Sequence, residues 1–580
     1  MALLADLVLL HPPSIHDFKK RTVALGPISD VVPSSPIFES YPIGFLSILS
    51  FLGKHGYKVK ISNVALKMLT NRNFNLHREI KSHNPLAFGI DIHWLAHAEG
   101  GLEIAKTVKN IHPNTPIVIG GLSASYYHLE LVSNYPHIDF VIRGDTVEEP
   151  LLKLIRCIEN GRQPEDVPNV TWKTMNGRVK ANPLSFVPNS LDDYILDYGL
   201  VIKAAARDLD PTGYLQYSNW FRYPMAAVLP SKGCSYNCVT CGGSKFAYQN
   251  LCNRTSMALK KPETLVEEIR IIGDYMKGPI FILNDLRNCG RNYAEKLFDR
   301  LRQEKIDNPL VVEIFNPADK GFLEQLIKVS PDASVEISPE SHDEKIRRKF
   351  GRIYGNFELE KTLQILNQLG FKRIDVFFMI GLPEQDQTSV TETVHYMEKL
   401  IRLSGDKGAL HPFIAPLAPF LDPGSIVFEN PEAYGYRLFY RTVKEHVEAL
   451  KKPSWKYFLN YQTEWLTRDE IVKATYRAAG LLNEAKSKYG LISESEGEII
   501  AERLRIAQET TLKIDEIFFG FEGEVLEAKL MKLNEDVERA YEGLLCSKKE
   551  LLTWPQKSNF NVRLRILYAL AKNCLKCILS

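Results

Sequence analysis

Short apolar runs alternate with amphipathic stretches in two separate series along this 580-residue chain. That alternation constrains the fold more than any other feature. In the first series strands are expected at Ala5–Leu10, Lys58–Asn63, Leu86–Ile92, Pro116–Ile119 and Ile138–Ile142, with helices at Pro42–His55, Gly100–Ile111 and Ser123–Tyr135. Pro42 opens its helix and Gly56 closes it. Strands separated by helices at this spacing predict a doubly wound, Rossmann-like parallel sheet over residues 1–160. The second series begins at Ala226. Strands at Ala226–Leu229, Ile280–Leu283, Leu310–Phe315, Ser334–Ile337, Arg373–Ile380 and His411–Ala415 alternate with helices, which predicts a partial (β/α)6 barrel over 223–428. Turn formers dominate 161–222, read as a linker with a hairpin around Asn176–Gly177. Beyond Pro431 the periodicity is helical, with helices expected at Glu496–Phe518 and Glu524–Leu545, so 429–580 is taken as a helical C-terminal domain in an α/β chain.

A length of 580 residues exceeds what one hydrophobic core sustains, in keeping with several domains. The net charge of +2 gives no reason to expect a nucleic-acid partner. No apolar run reaches 18 residues, so no transmembrane segment is expected, although peripheral membrane contact stays compatible. The N-terminal run MALLADLVLLHPP lacks a basic flank and a cleavage site, and reads as a buried strand.

Three of the nine cysteines crowd into eight residues, Gly233–Cys234–Ser235–Tyr236–Asn237–Cys238–Val239–Thr240–Cys241–Gly242–Gly243. Sparse cysteines with one dense cluster imply metal binding in a reducing, cytoplasmic compartment. Three thiolates can wrap one face of a cubane and leave one iron open for chemistry. The alternative is a zinc site completed by Cys252 or His342. The position after the first strand of a parallel barrel favours the cluster, since active sites of such barrels lie at the carboxyl ends of the strands.

This C-x3-C-x2-C loop after the first barrel strand resembles the radical S-adenosylmethionine (SAM) superfamily, over about Ala226–Ser425. The resemblance implies a [4Fe–4S] cluster on Cys234, Cys238 and Cys241, with SAM chelating the open iron. Two departures stand out: Thr240 where many members carry an aromatic residue, and Asn284–Asp285 where many carry a Gly-Gly-Glu turn. By similarity, Ser338 or Glu340 faces the SAM ribose or amino group, and Gly381 admits the adenine. Ser341 as a plain helix cap, and Met379–Glu384 as a plain strand-to-helix turn, account for the same residues.

The N-terminal unit is similar to the cobalamin (B12)-binding domains that precede many such barrels. The matching pieces carry Tyr41, Pro42 and Gly44, then Gly120, Gly121 and Ser123, then Gly144 and Asp145. The glycines and the small Ser123 hydroxyl would admit a long nucleotide tail. Asp91–Ile92–His93–Trp94–Leu95–Ala96 resembles the D-x-H-x-x-G motif whose His ligates cobalt. It has Ala96 for Gly and follows the third strand rather than the first, so His93 is not assigned as a ligand. The aromatics Trp455, Tyr457, Phe458, Tyr461 and Trp465 read as core, Lys19–Arg21 as solvated charge, and Cys574 with Cys577 as half-buried thiols.

Together the resemblances imply a cobalamin-dependent radical SAM transferase that functionalises an unactivated carbon, by methylation in the first reading. Carbon–carbon bond formation or cyclisation, on a lipid for instance, is the alternative with the same cofactors. A non-catalytic iron–sulfur or zinc protein sensing redox state or SAM is the alternative of another class. The expected partners are a small-molecule or lipid substrate and an electron donor such as ferredoxin or flavodoxin.

Overall fold

The computed structural model describes residues 5–27, 35–304, 306–405, 409–417, 419–541, 545–555, 568 and 570–573. Five strands, β1 (Leu7–His11), β2 (Val59–Asn63), β3 (Ala87–Asp91), β4 (Ile117–Gly120) and β5 (Phe140–Ile142), form a parallel sheet in the order 2-1-3-4-5. β1, β2 and β3 are buried along their whole length. Burial on both faces is why they read as continuous apolar runs rather than alternating ones. The helices Gly44–Lys54 and Glu148–Glu159 cover one face, and Ala98–Ile111 the other. The strand order reverses between β1 and β3, which opens a crevice at their carboxyl ends.

The hairpin expected in the linker is present as β6 (Val170–Lys173) and β7 (Val179–Ala181). It does not belong to a separate linker. β6 pairs antiparallel with β5, so the hairpin extends the first sheet to seven strands. An exposed edge at β5 would have left its amides without partners, and the hairpin supplies them.

The barrel is an open sheet of six parallel strands in strict sequence order: β8 (Ala226–Val228), β11 (Ile280–Ile282), β12 (Leu310–Ile314), β13 (Ser334–Glu340), β14 (Arg373–Ile380) and β15 (Leu410–Pro416). Such order follows when each βα unit winds in the same hand. Two-residue strands β9 (Ser231–Lys232) and β10 (Ala258–Leu259) pair antiparallel and tie the base of the loop that holds the cysteines.

In the C-terminal region the helix Arg468–Lys488 starts with a Thr467–Glu470 capping box. It is followed by Glu494–Gly520. The single helix expected over Glu524–Leu545 is two helices, Gly523–Met531 and Asn534–Tyr541. Cys574 and Cys577 lie outside the described residues. Among the described residues no helix is long and apolar enough to cross a membrane.

Candidate functional site

The cysteines occupy the loop that leaves β8 through β9, at the carboxyl end of the barrel strands. Local hydrogen bonds shape the loop before any ligand arrives. Tyr236 N–H donates to Cys234 Sγ at 3.4 Å, and Gly243 N–H to Cys241 Sγ at 3.3 Å. Amides aimed at sulfur stabilise thiolate character. Burial works against it, pushing the Cys238 thiol up to about 11 and raising Cys234 and Cys241 as well. Thiols buried this way gain most from a cationic metal centre, which deprotonates its ligands outright. All three are free thiols, and the donor set fits an iron–sulfur cubane with one iron left without a protein ligand.

The alternative fourth ligands are placed elsewhere. Cys252 is buried in a separate apolar cluster with Ala247 and Leu251. His342 turns its ring to Thr393 Oγ1, 2.9 Å away, and to Glu392 at 3.4 Å. Among the described residues no three His, Cys, Asp or Glu side chains converge as they would around a single metal ion.

Polar groups from successive strand ends gather near the loop. Asn284 after β11 donates through Nδ2 to Ser231 Oγ at 2.9 Å, and its amide N–H donates to Glu313 Oε2 at 2.6 Å. β13 carries a bulge between Ile337 and Glu340. The bulge puts Glu340 at φ +67° and buries its carboxyl against Arg352. Burial raises Glu340 to about 7, with Arg352 opposing the rise. Asp422 accepts from Gly242 N–H at 2.9 Å, and burial lifts it to about 6.

A cavity of about 400 Å³ runs from the first sheet to the edge of the barrel. Leu7, Leu9, Gly89, Val118, Gly120 and Ile142 line its deep end, beneath the Gly44–Lys54 and Glu148–Glu159 helices. Ala227, Leu229, Lys232, Phe281 and Leu283 line the barrel end. Tyr41, Pro42, Gly44, Gly120, Gly121, Gly144 and Asp145 all border it. Tyr41 is fixed by its hydroxyl, which donates to Tyr214 O at 2.7 Å, and by stacking on Phe45. A largely apolar cavity between the first sheet and the barrel is the kind of place where a cofactor or small molecule binds.

Three expected residues also make contacts within the protein. Ser123 does not line the cavity; its amide donates to His93 O at 3.1 Å and packs the turn behind the wall. The Asp145 carboxylate accepts from Nε and Nη2 on one edge of Arg254, with Nη2 at 2.9 Å from Oδ1. At Gly381, φ +98°, an added Cβ would meet the Tyr461 hydroxyl, so glycine is what lets Tyr461 pack against this strand end. Trp455, Tyr457, Phe458 and Tyr461 are buried core, as read, whereas Trp465 is only half-buried.

Sequence reasoning missed several residues around the site. His93 borders the cavity although its motif was set aside. His11, the last residue of β1, bonds Asp91 Oδ1 through Nδ1 at 2.9 Å and Phe38 O through Nε2 at 2.8 Å, directly at the strand-order reversal. His97 also reaches Phe38 O, at 3.0 Å. Lys232 donates to Asp145 O at 2.6 Å, joining the cysteine loop to the first sheet. An isolated His or Lys carries no local signal of this kind. Only the D-x-H spacing of Asp91 and His93 could have pointed here.

Comparison with known proteins matches residues 31–151 to the B12 binding domain and residues 228–397 to the radical SAM superfamily. An uncharacterized methyltransferase, PH0819, of Pyrococcus horikoshii is 23% identical over 398 residues, 68% of this chain and 78% of that protein. The anaerobic magnesium-protoporphyrin IX monomethyl ester cyclase of Rubrivivax gelatinosus is 25% identical over 195 residues, 32% of this chain and 31% of that protein. Among solved structures, the radical SAM methyltransferase TsrM of Kitasatospora setae, with cobalamin and a [4Fe–4S] cluster bound, superposes with a TM-score of 0.56 at 14% identity, covering 87% of this chain and 100% of that one.

Proposed function

Because the chain belongs to the radical SAM superfamily and carries a B12 binding domain, we propose that it is a cobalamin-dependent methyltransferase acting on an unactivated carbon of a small molecule. The observation that carries this reading is the single cavity bordered by both the first-sheet glycines and the barrel strand ends. The wide match to a methyltransferase, against the short match to a cyclase, favours methyl transfer over ring closure.

In this reading Cys234, Cys238 and Cys241 hold the cluster. The slot lined by Gly89 and Gly120 takes the cobalamin tail, and SAM sits between Ser338, Glu340 and the cysteine loop. When bound, these groups supply a reducing electron, a cleavable sulfonium and a methyl carrier. The chain's own part is orientation and exclusion of water. Phe281 and Leu283 give the mouth an apolar wall that shields reactive species from solvent. Arg254 and Lys232 lock the cysteine loop to the Gly144–Asp145 turn, which holds the two cofactor sites at a fixed separation. Glu340, held by the bulge against Arg352, offers a carboxylate to an amino group placed there. The expected reductant is a ferredoxin or flavodoxin, and the expected compartment the cytoplasm.

Anaerobic reconstitution of the full chain tests the reading. Iron, sulfide and cobalamin should all be retained, and reduction with SAM should yield both 5′-deoxyadenosine and S-adenosylhomocysteine. Replacing Cys234, Cys238 and Cys241 together by Ala should remove iron and sulfide while leaving cobalamin bound. A protein that keeps its iron after that change refutes the cluster site. Formation of 5′-deoxyadenosine alone, with cobalamin absent, refutes methyl transfer and leaves the barrel assignment standing.

A further inference from the structure

A separate cavity of about 400 Å³ shares none of the residues that line the cofactor cavity. Its wall is built by the helices Leu122–Tyr126 and His128–Asn134, the helix Lys245–Cys252 that follows the cysteines, and Gly424 beyond β15. Leu184, Phe246 and Leu251 give it an apolar stretch. Arg143, the residue after β5, lines it too and is only 8% exposed. Its Nη2 donates to the Asn182 carbonyl, while Nε is buried with no partner. Burial lowers the pKa of this guanidinium, and no acid opposes the shift. Asp145, two residues on, is taken by Arg254.

The other polar groups of the wall do not neutralise this cation. His128 bonds Thr171 Oγ1 through Nδ1 at 2.8 Å, and burial, with Arg143 adding to it, pushes its pKa down to about 4. Glu429 is exposed at the rim and accepts from the Tyr126 hydroxyl at 2.8 Å. Ser125 Oγ donates to Gly121 O at 2.8 Å and accepts from Gly144 N–H at 2.9 Å. Both glycines border the cofactor cavity, so Ser125 stands in a wall between the two cavities. A guanidinium taken out of water with a carbonyl as its acceptor is strongly unfavourable until an anion joins it. We propose that this cavity is a binding site for a small ligand bearing an oxyanion, a phosphate or a carboxylate, which Arg143 receives. The planar fork of arginine matches either group. The neutral His128 ring offers a further polar contact without adding charge. The apolar stretch suits an uncharged organic body, and Glu429 disfavours a second negative group at the rim. This site does not depend on the cofactor assignments made above.

The test is calorimetric titration of the full chain with inorganic phosphate and, separately, with acetate at constant ionic strength, for wild type, Arg143→Gln, Arg143→Lys and His128→Asn. Wild type should bind one anion per chain, and the tighter of the two identifies the group. Arg143→Gln should weaken that binding about tenfold or more. Arg143→Lys, which keeps the charge and loses the fork, and His128→Asn should each weaken it less. Urea midpoints separate ligand binding from a structural role. With neither anion present, Arg143→Gln should be at least as stable as wild type, because a buried charge without a counter-ion has been removed. With the tighter anion at saturation, wild type should become the more stable of the two. Absence of binding to wild type, or equal binding to Arg143→Gln, overturns the proposal. So does a loss of stability in Arg143→Gln that is the same with and without the anion, which leaves Arg143 as a strut for Asn182. Should Arg143→Gln fail to fold, unchanged affinities in both Arg143→Lys and His128→Asn overturn it.

Discussion

Gly121 shows how a single residue can decide whether two stretches of backbone can meet. Its φ is +118°, and an added Cβ would lie 2.4 Å from His93 Cα, a backbone atom that cannot swing away. Gly121→Ala should therefore destabilise the chain by about 2–4 kcal/mol in chemical denaturation and weaken cobalamin retention. His446 matters through its charge. Burial pushes it down to about 4, and its ring bonds Thr442 O through Nδ1 and Asn460 through Nε2 as the neutral form. The unfolded chain protonates this histidine below about pH 6.5, and the folded chain resists until about 4. Stability is therefore full above pH 6.5 and falls as pH drops toward 4, by about 3 kcal/mol from this group. Denaturation midpoints between pH 4 and 7 should show that slope, and His446→Gln should reduce it by this group's share, leaving the part due to His97 and His128, which burial also holds at about 4. The cysteines were legible at this scale because their spacing is local. Arg352 and Lys232 were not, because what gives each its meaning is a partner far away in sequence.

Elements followed their hydrophobic periods wherever one element sufficed to bury its own face. Both strand series are where the apolar runs put them. The departures are places where a neighbour overrides the local pattern: the hairpin claimed by β5, the bulge in β13, and the long C-terminal pattern broken into two helices. The segment around Lys548–Leu552 is the strongest case. Leu552 and Trp554 pack with Phe281 of β11 and Val311 of β12. Trp554 meets Phe281 edge-on at 4.8 Å, and the Arg373 guanidinium lies 3.9 Å from its ring centre. Arg373 is itself held by Asp375, with both contacts at 2.8 Å. Nothing in the sequence ties residue 554 to a barrel strand. Trp554→Ala should cost about 3–5 kcal/mol in chemical denaturation, a core-sized loss from a residue close to the chain's end.

At the scale of the whole molecule, the site depends on two domains being held together. Arg254 and Asp145 form the lock, with side chains 1% and 6% exposed. Removing one partner of such a pair leaves a buried charge unpaired. Arg254→Ala should lower stability by about 3–5 kcal/mol, and Arg254→Ala with Asp145→Asn should lose less than the sum of the single changes.

What the sequence determined alone were properties written within a few residues or a few turns: two βα series, the thiol trio and the glycine-marked strand ends. Hydrophobic period and ligand spacing are local quantities, so they survive without a fold. Only the tertiary structure decided how those pieces face each other. It packed Tyr461 against Gly381, turned Asp145 onto Arg254, and set Arg352 against Glu340. Burial and pairing are set by atoms distant along the chain, and no local pattern encodes which two surfaces will meet.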